Sequence, residues 1–99
     1  MTIRNEHRKI LGIIKTIRES FIGAEYVYTN GSCFQFYLIL RRIFPHAIAY
    51  YNGDHVITLI NNRMYDITGE IRETKGYIPF CLSHEEEEWK DIKYRMLMK

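Results

Sequence analysis

Within the first segment, Ile10, Ile14, Ile17 and Phe21 recur every three or four positions, while Arg8, Lys15 and Glu19 fall on the opposite side of a helical projection. This spacing predicts an amphipathic helix, with Asn5 as its cap, Glu6 in the favourable first turn and Gly23 as its stop. In "AEYVYTNGS", β-formers then give way to Thr29, Asn30, Gly31 and Ser32, all turn or helix-cap types. A second helix is expected from near Cys33 to about Phe44, because Pro45 disfavours helical geometry in the residue before it. Its first two turns, "CFQFYLIL", are apolar nearly all round apart from Gln35, which implies burial on most sides. Periodicity alone also permits a buried strand here; the length to Phe44 and the cap types before it favour the helix.

After Pro45 the pattern changes to short β-rich runs. "AIAYY" ends at the turn signal "NGD", "HVITLI" ends at "NNR", and "MYDIT" departs from there toward Gly69, which reads as a β-meander. "ETKGYIPF" adds an edge strand around Tyr77, with Pro79 limiting its pairing. In the last segment Ser83 and Glu86 have the spacing of a capping box, and Trp89, Ile92 and Met96 share a face of a C-terminal helix. The fold class expected is α+β: two N-terminal helices, an antiparallel meander of three to four strands and a C-terminal helix, in a single domain spanning residues 1–99.

Composition narrows the function classes more than it changes this outline. Ninety-nine residues suffice for one core, and 46% apolar with 26% charged residues is the balance of a folded globule. The net charge of +2, spread thinly, argues against the dense basic face that nucleic-acid binding needs. The amino end breaks its apolar run with charges, so neither a signal-peptide core nor a membrane span is expected, and the cytoplasm is the expected compartment. There two thiols, Cys33 and Cys81, are favoured over one disulfide.

The candidate chemistry centres on Cys33. A helix starting there sets the sulfur beside backbone N–H groups at the positive end of the helix dipole, which favours thiolate, although an isolated cysteine before an apolar run is more often a small buried hydrophobe. His55 opens a strand directly after a turn, and Asp66 sits in the next strand. If Asn61 and Asn62 form a two-residue hairpin turn, Asp66 falls opposite Ile57 and shares a sheet face with His55, within reach of the imidazole. A three-residue loop reverses the parity. On the first register His55, Ile57, Leu59, Met64 and Asp66 point to one side, and the helix from Cys33 is expected to cover it. Thiol, imidazole and carboxylate then converge as nucleophile, base and orienting group.

A cysteine at the start of a buried helix, a histidine at the start of a strand ("DHVITLI") and an aspartate on the following strand ("MYDITG") resemble, in this order, the papain-like cysteine fold and its transglutaminase-like branch. The segment is also similar to short bacteriophage proteins with an "NGSC…FP.A…DHV…YDI.GE" pattern, over about residues 30 to 70. The resemblance implies a small papain-like domain with Cys33 as nucleophile, His55 as base and Asp66 as orienting residue. No glutamine stands a few residues before Cys33 to complete an oxyanion hole; Asn30, Tyr26 or Tyr28 are the candidates to replace it, beside the Cys33 backbone N–H. Tyr51, next to Tyr50, is a candidate for the pocket mouth, with edge-strand packing the commoner role.

His46 is the fallback base and His7 is expected on the surface of the first helix. His84, before four glutamates, is read as a solvated helix start, and no metal or other cofactor is expected. The leading expectation is a cysteine-dependent hydrolase or acyltransferase attacking an amide, isopeptide or thioester. The alternative is a non-catalytic, phage-encoded binding protein that inhibits a host protein or sequesters a small-molecule ligand in the host cytoplasm. A third reading makes His55 and Asp66 purely structural. The meander edge and the aromatic C-terminal helix offer surfaces for a homodimer.

Overall fold

The computed structural model describes residues 3–80, with side chains from Asn5 onward. The C-terminal helix expected from Ser83, together with Cys81 and His84, lies outside the described residues. Within them, α1 (Ile3–Arg18), α2 (Ala24–Thr29) and α3 (Cys33–Ile43) precede β1 (Ile48–Tyr51), β2 (Val56–Ile60), β3 (Arg63–Asp66), β4 (Gly69–Ile71) and β5 (Ile78–Phe80). This is an α+β arrangement with one helix and at least one strand more than the sequence pattern suggests.

In α1, Ile10 and Ile14 are fully buried and Arg8, Lys15 and Glu19 are exposed, as the periodicity requires. Both ends differ from expectation. The helix starts at Ile3, so Asn5 lies inside its first turn rather than capping it, and it stops at Arg18, ahead of Gly23. The Ser20 hydroxyl and backbone N–H both donate to the Ile17 carbonyl, at 2.6 and 3.1 Å, which tightens and ends the last turn. Phe21 therefore leaves the apolar stripe and stands 45% exposed.

Gly23, at φ 88°, redirects the chain into the short α2, where the sequence shows only β-formers and turn residues. Tertiary packing overrides that local preference: Ala24 is buried, and the Tyr28 ring lies 5.4 Å from that of Phe36. α3 runs as expected, and Phe44 leaves the helix at ψ 90° ahead of Pro45 while its N–H still reaches the Leu40 carbonyl at 2.7 Å.

The five strands form one antiparallel sheet in the order β4-β3-β2-β1-β5. Pro79 sits on the edge strand β5, where a missing donor costs little. "GEI", beginning at Gly69, forms β4, a strand too short to leave a periodic signal.

Asn61 and Asn62 both adopt left-handed φ, 51° and 66°, which two-residue hairpin turns of the I′ type require. The register follows: Thr58 pairs with Tyr65, Leu59 with Met64 and Ile60 with Arg63. Asp66 thus shares the parity of Ile57 and His55.

The helices cover the other face. Ala49, Val56, Ile60 and Tyr65 join Ile10, Ile14, Phe34, Phe36, Tyr37 and Leu40 in one buried cluster. The face of His55 and Asp66 is comparably apolar, with Ile57, Leu59 and Met64 on it, so the alternation does not by itself select the face that α3 covers.

The turn carries a direct test. Asn61→Val or Asn62→Val places a β-branched residue at positive φ and should lower stability by about 1–2 kcal/mol, whereas Asn62→Gly should be neutral or stabilising. Urea unfolding midpoints at constant m-value decide between these outcomes.

Candidate functional site

Cys33 is the first residue of α3, and its Sγ accepts the Val56 backbone N–H at 3.4 Å. The sulfur is thereby held at the start of β2, at the end of the sheet rather than over its face. This is how a helix on the opposite face still brings Cys33 to His55. Cys33 as a residue is only 4% exposed.

His55 is placed by the turn before it. The Asn52 side-chain oxygen accepts the N–H groups of both Asp54 and His55 at 2.9 Å, and the Asn52 N–H reaches the His55 carbonyl at 3.3 Å. Gly53, at φ 104°, supplies the backbone conformation this turn needs. The imidazole Nε2 then lies 3.0 Å from Asp66 Oδ2, and the Cys33 side chain is near enough to the ring to raise its pKa. With Nε2 engaged by the carboxylate, Nδ1 is the nitrogen left for the sulfur.

Asp66 is fixed from its other side. Its Oδ1 accepts the Thr68 N–H at 2.7 Å and the Thr68 hydroxyl, so both carboxylate oxygens are occupied. Burial by itself raises the Asp66 pKa, yet the hydrogen bonds from His55 and Thr68 together outweigh it and hold the group below its ordinary value. His55 is pushed up to about 9, first by the Asp66 hydrogen bond and then by Cys33, against the opposing effect of burial. The ring is a cation at neutral pH.

The remaining sequence candidates lie elsewhere. The Asn30 amide donates to the Tyr26 carbonyl at 3.0 Å and to the Thr29 hydroxyl at 2.9 Å. Tyr26 is 71% exposed, Tyr28 packs between the rings of Phe21 and Phe36, and the Tyr51 hydroxyl donates to the Gly53 carbonyl at 3.2 Å. His46 is exposed in the connection after α3, at the end of that helix opposite Cys33.

Two residues were assigned too little by the sequence pattern. His7, expected on the surface, is half-buried with Nδ1 2.6 Å from the Tyr65 hydroxyl and Nε2 3.9 Å from Glu70. Its position one turn before Ile10 and Ile14 on the core stripe was the available signal. Tyr77 counted only as part of an edge strand, but burial and the charges of Asp66, Cys33 and Asp54 raise its pKa, which puts it beside the candidate site.

Stability should depend on pH at both ends. His55 binds its proton more tightly folded than unfolded, so its contribution is complete below about pH 6.5 and disappears as pH rises through about 9. Asp66 acts in the reverse sense: its contribution is present above the ordinary pKa of 3.8 and is lost as pH falls through its lower folded value. After discounting for solvent screening of a half-buried pair, the alkaline end is worth about 1–2 kcal/mol. Asp66→Asn should remove most of the alkaline dependence and return the His55 titration, followed by its imidazole NMR shifts, toward 6.5.

Among the described residues no helix is long and apolar enough to cross a membrane. Comparison with curated proteins and with solved structures found no match. A family model described as "Phage YunG-like protein" matches residues 10–96, an interval that contains Cys33, His55, Asp66 and every strand of the sheet. On that extent of similarity, the chain belongs to the phage YunG-like protein family.

Proposed function

We propose that this chain is a cysteine-dependent hydrolase or acyltransferase of papain-like, transglutaminase-like character, with Cys33, His55 and Asp66 as its triad. The observation that carries the reading is that one imidazole bonds Asp66 at 3.0 Å while Cys33, held at the start of β2 by the Val56 N–H, lies close enough to raise its pKa. The His55 cation stabilises the Cys33 thiolate, reinforced by the start of α3. The thiolate adds to an amide, isopeptide or thioester carbonyl. For a nitrogen leaving group, the tetrahedral intermediate collapses as His55 passes its Nδ1 proton to that nitrogen, and an acyl-enzyme is left. Neutral His55 then takes a proton from water or from an acceptor amine, which releases the acid or the transferred product. Asp66 keeps the ring in the orientation and tautomer that both steps use.

A second reading is supported by the burial of Cys33, 4% exposed. In it the same three side chains clamp the start of α3 to the sheet, and the protein acts without turnover as a phage-encoded binding protein in the host cytoplasm. Its target would be a host protein or a small ligand.

Alkylation separates the two. In a Cys81→Ser background, which leaves Cys33 as the single thiol of the chain, iodoacetamide labelling is followed by intact mass from pH 5 to 10. The catalytic reading expects a rate that persists well below the ordinary thiol pKa of about 8.5 and falls by about 100-fold at pH 6 in His55→Ala. An ordinary thiol titration, unaffected by His55→Ala, sinks it.

A further inference from the structure

Addition of a thiolate to a carbonyl moves negative charge onto the carbonyl oxygen, and a site that accelerates this step aims hydrogen-bond donors at that oxygen. The side chains the sequence offers for this are committed or remote: the Asn30 amide to the Tyr26 carbonyl, the Tyr51 hydroxyl to the Gly53 carbonyl, and Tyr28 to two aromatic rings.

The sheet register points to a different residue. Tyr51 pairs with Ile78 on one side and with Val56 on the other. Extending both ladders one step beyond their last pairs sets Asn52 between Tyr77 and His55, and its N–H to the His55 carbonyl at 3.3 Å closes the step on the β2 side. Tyr77, Asn52 and His55 therefore form one row across the end of the sheet, on the face that carries Asp66. Neighbouring strands lie about 4.8 Å apart, so Tyr77 and His55 stand roughly 10 Å apart at the backbone, a gap that admits a bound carbonyl group between their side chains. The intervening Asn52 does not fill it, because its side-chain oxygen is turned into its own loop onto the N–H groups of Asp54 and His55.

Tyr77 is also anchored and suited to donate. Its N–H bonds the Thr74 carbonyl at 3.2 Å, after a turn in which Gly76 adopts φ 89°. The phenol is half-buried, and burial together with the nearby charges of Asp66, Cys33 and Asp54 keeps it protonated beyond its ordinary range.

We propose that the Tyr77 hydroxyl is the side-chain donor for the substrate carbonyl oxygen as Cys33 adds to it, a catalytic role that rests on the cysteine-nucleophile reading above. As the S–C bond forms, the C=O π pair moves onto oxygen and is held by the Tyr77 O–H. When the C–O double bond re-forms, the leaving group departs, with the His55 proton where it is an amine, and Tyr77 retains its own proton throughout.

The experiment uses two probes that differ in this one requirement. Iodoacetamide is attacked at a saturated carbon and develops no oxyanion, whereas 4-nitrophenyl acetate is attacked at a carbonyl. In the full chain carrying Cys81→Ser, Tyr77→Phe should slow acetylation of Cys33, read as nitrophenolate release and as acetyl mass on the protein, by about 100-fold. Its iodoacetamide rate and pH profile should stay within about twofold of the parent. Unchanged acetylation overturns the Tyr77 assignment and leaves the cysteine reading standing, as does a parent protein whose Cys33 is alkylated at low pH but not acetylated. Equal loss with both probes assigns Tyr77 to the fold or to the thiolate and also overturns the donor role. Ordinary thiol alkylation in the parent, independent of His55, removes the nucleophile reading itself and the Tyr77 role with it.

Discussion

The hydrogen bond between His55 and Asp66 depends on a parity constraint. Side chains alternate across a strand, so one residue more or less in the β2–β3 turn would carry Asp66 to the face packed against the helices. Asn61 and Asn62 prevent this by taking up left-handed backbone at two successive positions, which closes the hairpin in two residues. Asparagine tolerates that conformation at lower cost than most side chains because its amide can bond locally. The orientation of the carboxylate is then completed by Thr68, whose N–H and hydroxyl hold Oδ1 while Oδ2 meets the imidazole.

The helices depend on the same alternation from the opposite side. Val56, Ile60 and Tyr65 share one parity and bury with Phe36, Leu40, Ile10 and Ile14 in one cluster. His55 and Asp66, being out of phase with that face, stay clear of the core. The cysteine reaches them only because α3 begins level with the start of β2, where the sulfur takes the Val56 N–H. Core and candidate site are therefore two consequences of one register.

Much of this was legible in the residues, and the parts that were not have identifiable causes. The α3 boundaries follow from Pro45 and an apolar run of helical length, and the hairpin register follows from an Asn-Asn pair between alternating segments. The covering face was misread because His55 precedes its strand and Cys33 precedes most of its helix, so neither is bound to the face its element packs with. α2 was missed because six residues of mixed propensity are helical only in contact with Phe36, a tertiary cause. The Tyr77 row was in principle available from the NGD turn. It also required knowing that β5 returns beside β1, which a short edge segment with a proline does not announce.

The energetics of the Cys33, His55 and Asp66 cluster bear on why such an array would be kept. Joining a helix start to a strand end does not require charge; apolar side chains of similar volume hold such joints as well or better, because a partly buried cation must first be taken out of water. Here the carboxylate is saturated with donors and the imidazole is raised to about 9, so the three groups lock His55 in its charged form across the neutral range. A thiol gains an adjacent cation that lowers the free energy of its ionised form, and a leaving group gains a positioned proton. The excess of electrostatic specification over what packing needs is the physical ground for preferring the chemical reading.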